Sequence, residues 1–275
     1  MAAGVCSLAA AVMPLGSLEP PSDASLVKAV TQRAEGFTPA RDGFAFKNNF
    51  TGSPLPSGLR AGAARAVEKG LGLPHEFGLC GGMSLAAADF YLARRTPPDM
   101  TKPPVQGTPL YEYLYQRQTD SMGPMGVMAL KFWNWMQLPD HADKGECTQK
   151  LTGAELPGIV SRLKARQLVP VGLVLSSQSS GKLWENHQIL GYGVKEKAGG
   201  VVELKVYDPN FPRADKLVIR LTPMGEEVKA AKDGEPRTYA HEYTCERVSG
   251  KGLVKKVRGV FAMPYEPKAP PKDLK

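Results

Sequence analysis

The chain holds little of what several specialised protein classes require. Its 275 residues include four cysteines, and Cys6, Cys80, Cys147 and Cys245 are too scattered for a disulfide framework. No C-x-x-C pair occurs, so zinc-ribbon chemistry is excluded. His241 and Cys245 stand four apart, but two ligands without a second pair are a poor metal signal. No metal or other cofactor is expected. Beyond the first eighteen residues no stretch is long and apolar enough to span a bilayer, so no transmembrane segment is expected. Lys and Arg outnumber Asp and Glu by 35 to 27, yet they are dispersed, with short runs such as Arg94 and Arg95 or Lys255 and Lys256. They are not interleaved with aromatics at a nucleic-acid spacing, so no nucleic-acid partner is expected and the net charge of +8 suits a solvated surface. No internal repeat is visible.

What is present is the composition of a globular chain, 42% hydrophobic and 23% charged, long enough for one sizeable core. The first eighteen residues are apolar and Ala-rich but lack the Lys or Arg that opens a secretory signal. Val5 before Cys6 also departs from the lipoprotein pattern. Location is left between the cytoplasm and export through an atypical apolar segment. Residues 14–25 carry paired prolines and read as a linker, and a short helix is expected over 24–35. The organisation expected is an arm, linker and helix over 1–35, one catalytic domain over 36–265, and a Pro- and Lys-rich tail over 266–275.

Within the domain, 36–60 reads as loop. From Gly81 the run SLAAADFYLARR is rich in helix formers, and Arg94 and Arg95 suit a helix C-terminus before Pro97. Further helices are expected at 108–118, at 123–137 and at 152–168, the last opened by a Thr152–Glu155 capping box. After residue 168 the texture turns to strands: LVPVGLVL, HQILGYGV, VVELKVYD, KLVIRL and GLVKKVRGVFAM. Gly199 and Gly200 should make the second and third of these a hairpin. Residues 222–251 read as charged and irregular.

Cys80 carries the sharpest chemical signal. It lies in Gly-Leu-Cys-Gly-Gly-Met, directly before the strongest helix signal. Unpaired N–H groups and the positive end of a helix dipole favour a thiolate there, and the same groups can stabilise an oxyanion. Gly81 and Gly82 leave room for a substrate carbonyl and a tight helix entry. The plain alternative is a small buried thiol in a Gly-rich turn. His187 opens an alternating strand, and Asp208 closes the next one before Pro209. The hairpin would bring both to its open end, although Asp-Pro-Asn is also an ordinary turn.

These residues together resemble the papain-like cysteine peptidase superfamily, and within it the bacterial bacteriocin-processing, double-glycine leader peptidase-like type. The shared features are Cys at a helix start, a His-x-x-x-G-Y strand from His187 to Tyr192, and a strand ending Asp208-Pro209. The resemblance implies an α+β fold, with an N-terminal helical half that carries Cys80 at a helix start packed on a C-terminal antiparallel sheet. It implies Cys80 as nucleophile, His187 as base and then acid, and Asp208 as the group that orients the ring. The family completes its oxyanion hole with a Gln a few residues before the Cys. Here residues 74–79, PHEFGL, contain no Gln or Asn, so Asn48 and then Asn49 are the candidates.

His75 is the local rival as base, without a strand to fix it. Trp133 and Trp135 could line a cleft, though aromatics at helical spacing are more often core. Gln118, Asp120 and Ser121 are explained as a turn after a helix. The leading expectation is a cysteine hydrolase that cleaves an amide or peptide bond of a peptide or protein substrate through an acyl-enzyme. Acyl transfer of the transglutaminase type and glutamine deamidation use the same groups, although HQILGYG lacks the aromatic-acidic pattern of transglutaminases. A non-catalytic papain-like binding module is the third reading.

Overall fold

A computed structural model describes residues 36–53, 76–179, 181–224 and 239–274. The arm, the expected helix over 24–35, Cys6 and His75 lie outside the described residues. The elements are α1 (Pro39–Asp42), β1 (Phe50–Thr51), β2 (Glu76–Phe77), α2 (Cys80–Leu92), α3 (Pro109–Ser121), α4 (Val127–Gln137), α5 (Thr148–Lys164), β3 (Val169–Val174), β4 (His187–Glu196), β5 (Val202–Tyr207), β6 (Val218–Met224), β7 (Glu242–Val248), β8 (Val254–Val257) and β9 (Gly259–Ala262). The fold is mixed α+β, with several helices packed against a curled antiparallel sheet of strand order β8-β7-β6-β5-β4-β3-β9.

The curl follows from what α5 touches. It packs on β9 at one edge of the sheet, on β4 in the middle and on β7 toward the other edge, so the sheet must wrap round it. Leu156, Ile159, Val160 and Leu163 recur at helical spacing and meet Val171, Leu173, Ile189, Leu204 and Ile219, all buried. Each such aliphatic side chain contributes about 1.5–3 kcal/mol relative to exposure. All six residues of β3 are buried, which explains its unbroken apolar run.

Helix α2 packs on β4 as well, and belongs to a second core. Eleven of its thirteen residues are buried, so it has no polar face and sits between layers. Met83, Ala86 and Phe90 meet Phe44, Leu114, Leu190 and Tyr207. The two glycines after Cys80 make this packing possible. A Cβ on Gly82 would fall on the Leu114 carbonyl of α3, and one on Gly81 would strike Ser121 Oγ and Gln188 Oε1. Both glycines therefore let the start of α2 pack closely on α3 and β4.

Several elements depart from expectation. Helix α5 begins at Thr148, with Cys147 as its N-cap and the Cys147 sulfur accepting from Lys150 N. The Thr152–Glu155 box does not form. Instead Thr152 Oγ1 accepts from Val260 N and Glu155 Oε2 from Ala262 N, which ties mid-helix to β9. Gln118, Asp120 and Ser121 lie inside α3, not in a turn after it. The segment read as irregular over 222–251 contains β7, paired along its whole length with β6; residues 225–238 of it lie outside the described residues. Trp135 is buried against Phe261, while Trp133 is 44% exposed. Among the described residues no helix is long and apolar enough to cross a membrane.

Candidate functional site

The site lies where α2 begins and where β4 and β5 meet. Cys80 is the first residue of α2, partly exposed in a free-thiol state. Leu79 before it has no side chain that can cap, and a distant one acts instead: Asn48 Oδ1 accepts from Leu79 N at 2.6 Å. The Gln118 side chain does the same one turn in, accepting from Gly82 N at 2.9 Å. Two of the N–H groups that a helix start leaves unpaired are thus satisfied from outside the helix.

β4 and β5 form the expected hairpin, closed by a short turn over Ala198–Gly200. His187 opens β4, and Asp208 follows the last residue of β5. Their meeting depends on a one-residue irregularity. Toward the turn Gly193 pairs with Lys205, but past it Gly191 pairs with Val206 and Leu190 with Tyr207. Tyr192 is the extra residue. Extended by one pair, the shifted register sets Asp208 opposite Ile189, in phase with His187 on the same strand. Without the bulge Asp208 would be in phase with Gln188 and point to the other face.

His187 Nε2 and Asp208 Oδ1 stand 2.6 Å apart, with both side chains buried. The Asn210 side-chain amide is 3.3 Å from the same ring nitrogen, and the Asn210 N–H donates to Asp208 Oδ1 at 2.9 Å. Arg247 of β7 donates from Nη1 to the other carboxylate oxygen at 2.8 Å. Burial opposes charge on His187, but Asp208 outweighs it, a hydrogen bond and charge interaction with Cys80 adds to it, and the ring is raised to about 10. Burial likewise opposes charge on Asp208, and His187 and then Arg247 overcome it and hold the carboxyl below its usual range. With Nε2 turned to Asp208, Nδ1 is the ring nitrogen that Asp208 does not engage.

Cys80 and His187 both line a cleft of about 880 Å³, together with Asn48, Asn49, Gln118 and Trp184. Asn48 is buried beneath the Cys80 turn, and its Nδ2 donates to Asn210 Oδ1 at 3.2 Å. The amide therefore bridges the start of α2 and the turn after β5, and Asn48 N adds a bond to Pro209 O at 3.0 Å. Asn49 lies on the cleft wall. Among the described residues no group of three or more His, Cys, Asp or Glu could hold a metal ion; Cys245, paired with His241 in the sequence, is a buried thiol of β7 pushed up to about 12 by burial.

Asn210, Gln118 and Arg247 are neighbours of the site to which the sequence assigns no functional role. Asn210 was present in Asp-Pro-Asn but explained as a turn. Arg247 had a usable signal, because Tyr243, Cys245 and Arg247 alternate with polar residues at strand period. No family model, curated protein or solved structure matches this chain.

Proposed function

We propose that this protein is a papain-like cysteine hydrolase that cleaves an amide or peptide bond of a peptide or protein substrate. The observation that carries the reading is the His187 ring held at 2.6 Å by Asp208 beside Cys80 at the first turn of α2. In this reading Cys80 Sγ, its proton held on His187, attacks the substrate carbonyl carbon. The tetrahedral oxyanion is met by the Cys80 N–H and the Asn48 amide. Collapse breaks the C–N bond, His187 gives its proton to the leaving amine, and an acyl-enzyme remains. Water, deprotonated by His187, then attacks the thioester, releases the acid and restores the thiol. Asp208 keeps the ring oriented throughout and stays ionised.

The resemblance to the double-glycine leader peptidase type rests on the motifs around Cys80, His187 and Asp208 and favours hydrolysis over acyl transfer. The test is to incubate the full chain, and its Cys80→Ala variant, with a degenerate peptide mixture and identify products by mass spectrometry. New carboxyl termini made by the wild type alone support hydrolysis. Ammonia loss or cross-linking without cleavage would replace it with deamidation or transfer, and cleavage that survives in Cys80→Ala would sink the reading.

A further inference from the structure

We propose that Arg247 is a positioning residue for this site: by holding Asp208 Oδ2 it keeps Oδ1 on His187 Nε2, and so keeps the opposite edge of the ring turned to Cys80. The inference rests on Cys80 being the nucleophile. A carboxylate bound through one oxygen can swing about its Cβ–Cγ bond. Asp208 is bound through both, with His187 and the Asn210 N–H on Oδ1 and the guanidinium at 2.8 Å on Oδ2.

Arg247 is itself fixed. Its guanidinium lies over the Phe211 ring at 4.8 Å, and Phe211 belongs to the turn after Asp208, where its N–H donates to the Asp208 carbonyl at 2.8 Å. One strand, β7, thus reaches across to brace a carboxylate at the end of another, β5. A planar, stacked guanidinium does this in one orientation, which a flexible ammonium does less well. Removing the guanidinium alone leaves a buried carboxylate with one partner fewer and costs stability, so the role in positioning is read from the reactivity of folded protein and not from stability. The ionisable groups that face this carboxylate are His187 from β4, Arg247 from β7 and Tyr207 of its own strand, with Cys80 of α2 behind the ring.

The test reads iodoacetamide alkylation of Cys80 by peptide mass spectrometry at pH 6 and pH 9.5, on folded protein checked by circular dichroism. For an ordinary thiol the ratio of the two rates is about 0.003. A thiol paired with a charged, oriented imidazole should exceed about 0.1. Arg247→Met is expected to lower the wild-type ratio about tenfold or more, and Arg247→Lys, which keeps the charge, to lose less. If Arg247→Met does not fold, Phe211→Leu removes the ring beneath the guanidinium and should lower the ratio in the same direction. A high wild-type ratio left unchanged by Arg247→Met, or by Phe211→Leu in its place, overturns the role of Arg247 alone. A wild-type ratio near that of an ordinary thiol overturns the reading of Cys80 on which it rests.

Discussion

The charge on His187 is maintained against burial, and that has a measurable consequence for the whole chain. Its pKa is raised to about 10, with burial opposing and Asp208 and Cys80 supporting the charged form. A group raised above its unfolded value, about 6.5, stabilises the fold fully below that value and loses the contribution as pH climbs through the folded pKa. Asp208 works in the opposite sense. Its depressed pKa contributes above the ordinary carboxyl range and is lost as pH falls through the folded value. The pair is therefore best satisfied between about pH 4 and 6.5. Urea unfolding should show wild-type stability falling from about pH 6.5 toward pH 10, by on the order of a few kcal/mol. His187→Gln should be less stable at pH 6.5 and lack most of that slope. A difference between the two proteins that stays constant over this window would refute the assignment of the charge to His187.

Close packing of α2 on α3 sets where Cys80 sits, and two glycines of different standing separate packing from propensity. Gly82 has no room for a methyl group because the Leu114 carbonyl occupies its place, whereas nothing lies within reach of a Cβ on Gly158 in the exposed face of α5. Gly82→Ala should cost about 1–3 kcal/mol through overpacking, and Gly158→Ala should gain about 0.5–1 kcal/mol through helix propensity. Chemical denaturation of the two variants checks both; equal shifts of one sign would sink the packing argument. These elements also show what the sequence could disclose. Helix α2 was legible because the run SLAAADFYLARR is rich in helix formers and free of Pro and Gly, and the β4–β5 hairpin because two glycines punctuate two alternating runs. The role of Gly81 and Gly82 was not, since only the packed neighbours from α3 and β4 reveal what stands over them. The false cap at Thr152 and Glu155 has the same cause: residues fit to cap a helix locally are engaged by β9 instead. Arg247 meets Asp208 from 39 residues away, and no local pattern announces which carboxylate a strand arginine will find.

At the scale of the molecule, the C-terminal segment that reads as a simple tail is a strap across α2 and α3. Arg117 of α3 lies buried with Asp89 of α2 at 2.7 Å. Both then reach into the strap: Asp89 Oδ1 accepts from Lys268 N at 2.9 Å, and Arg117 Nη2 donates to Glu266 O at 2.9 Å. Arg95, just past the end of α2, donates to the carbonyls of Pro270 and Pro271. Leu274 closes the strap, buried in the same core as Met83 and Phe90. Burial pushes the Asp89 carboxyl up, and Arg117 and the strap N–H push it back, so losing the strap removes part of what compensates a buried charge. Ending the chain after Tyr265 withdraws one large apolar side chain and several hydrogen bonds to charged groups, for an expected loss of about 2–5 kcal/mol. In a domain of this size that lowers Tm by about 2–4 °C for each kcal/mol. Calorimetry of the truncated and full chains decides it. A Tm unchanged by the truncation would mean that water replaces the strap at no cost and that Asp89 and Arg117 are satisfied by each other together with Tyr113, Tyr265 and Asp120. A fall in Tm that Leu274→Ala reproduces in full would assign the stabilisation to the apolar plug rather than to the bonds at Asp89 and Arg117.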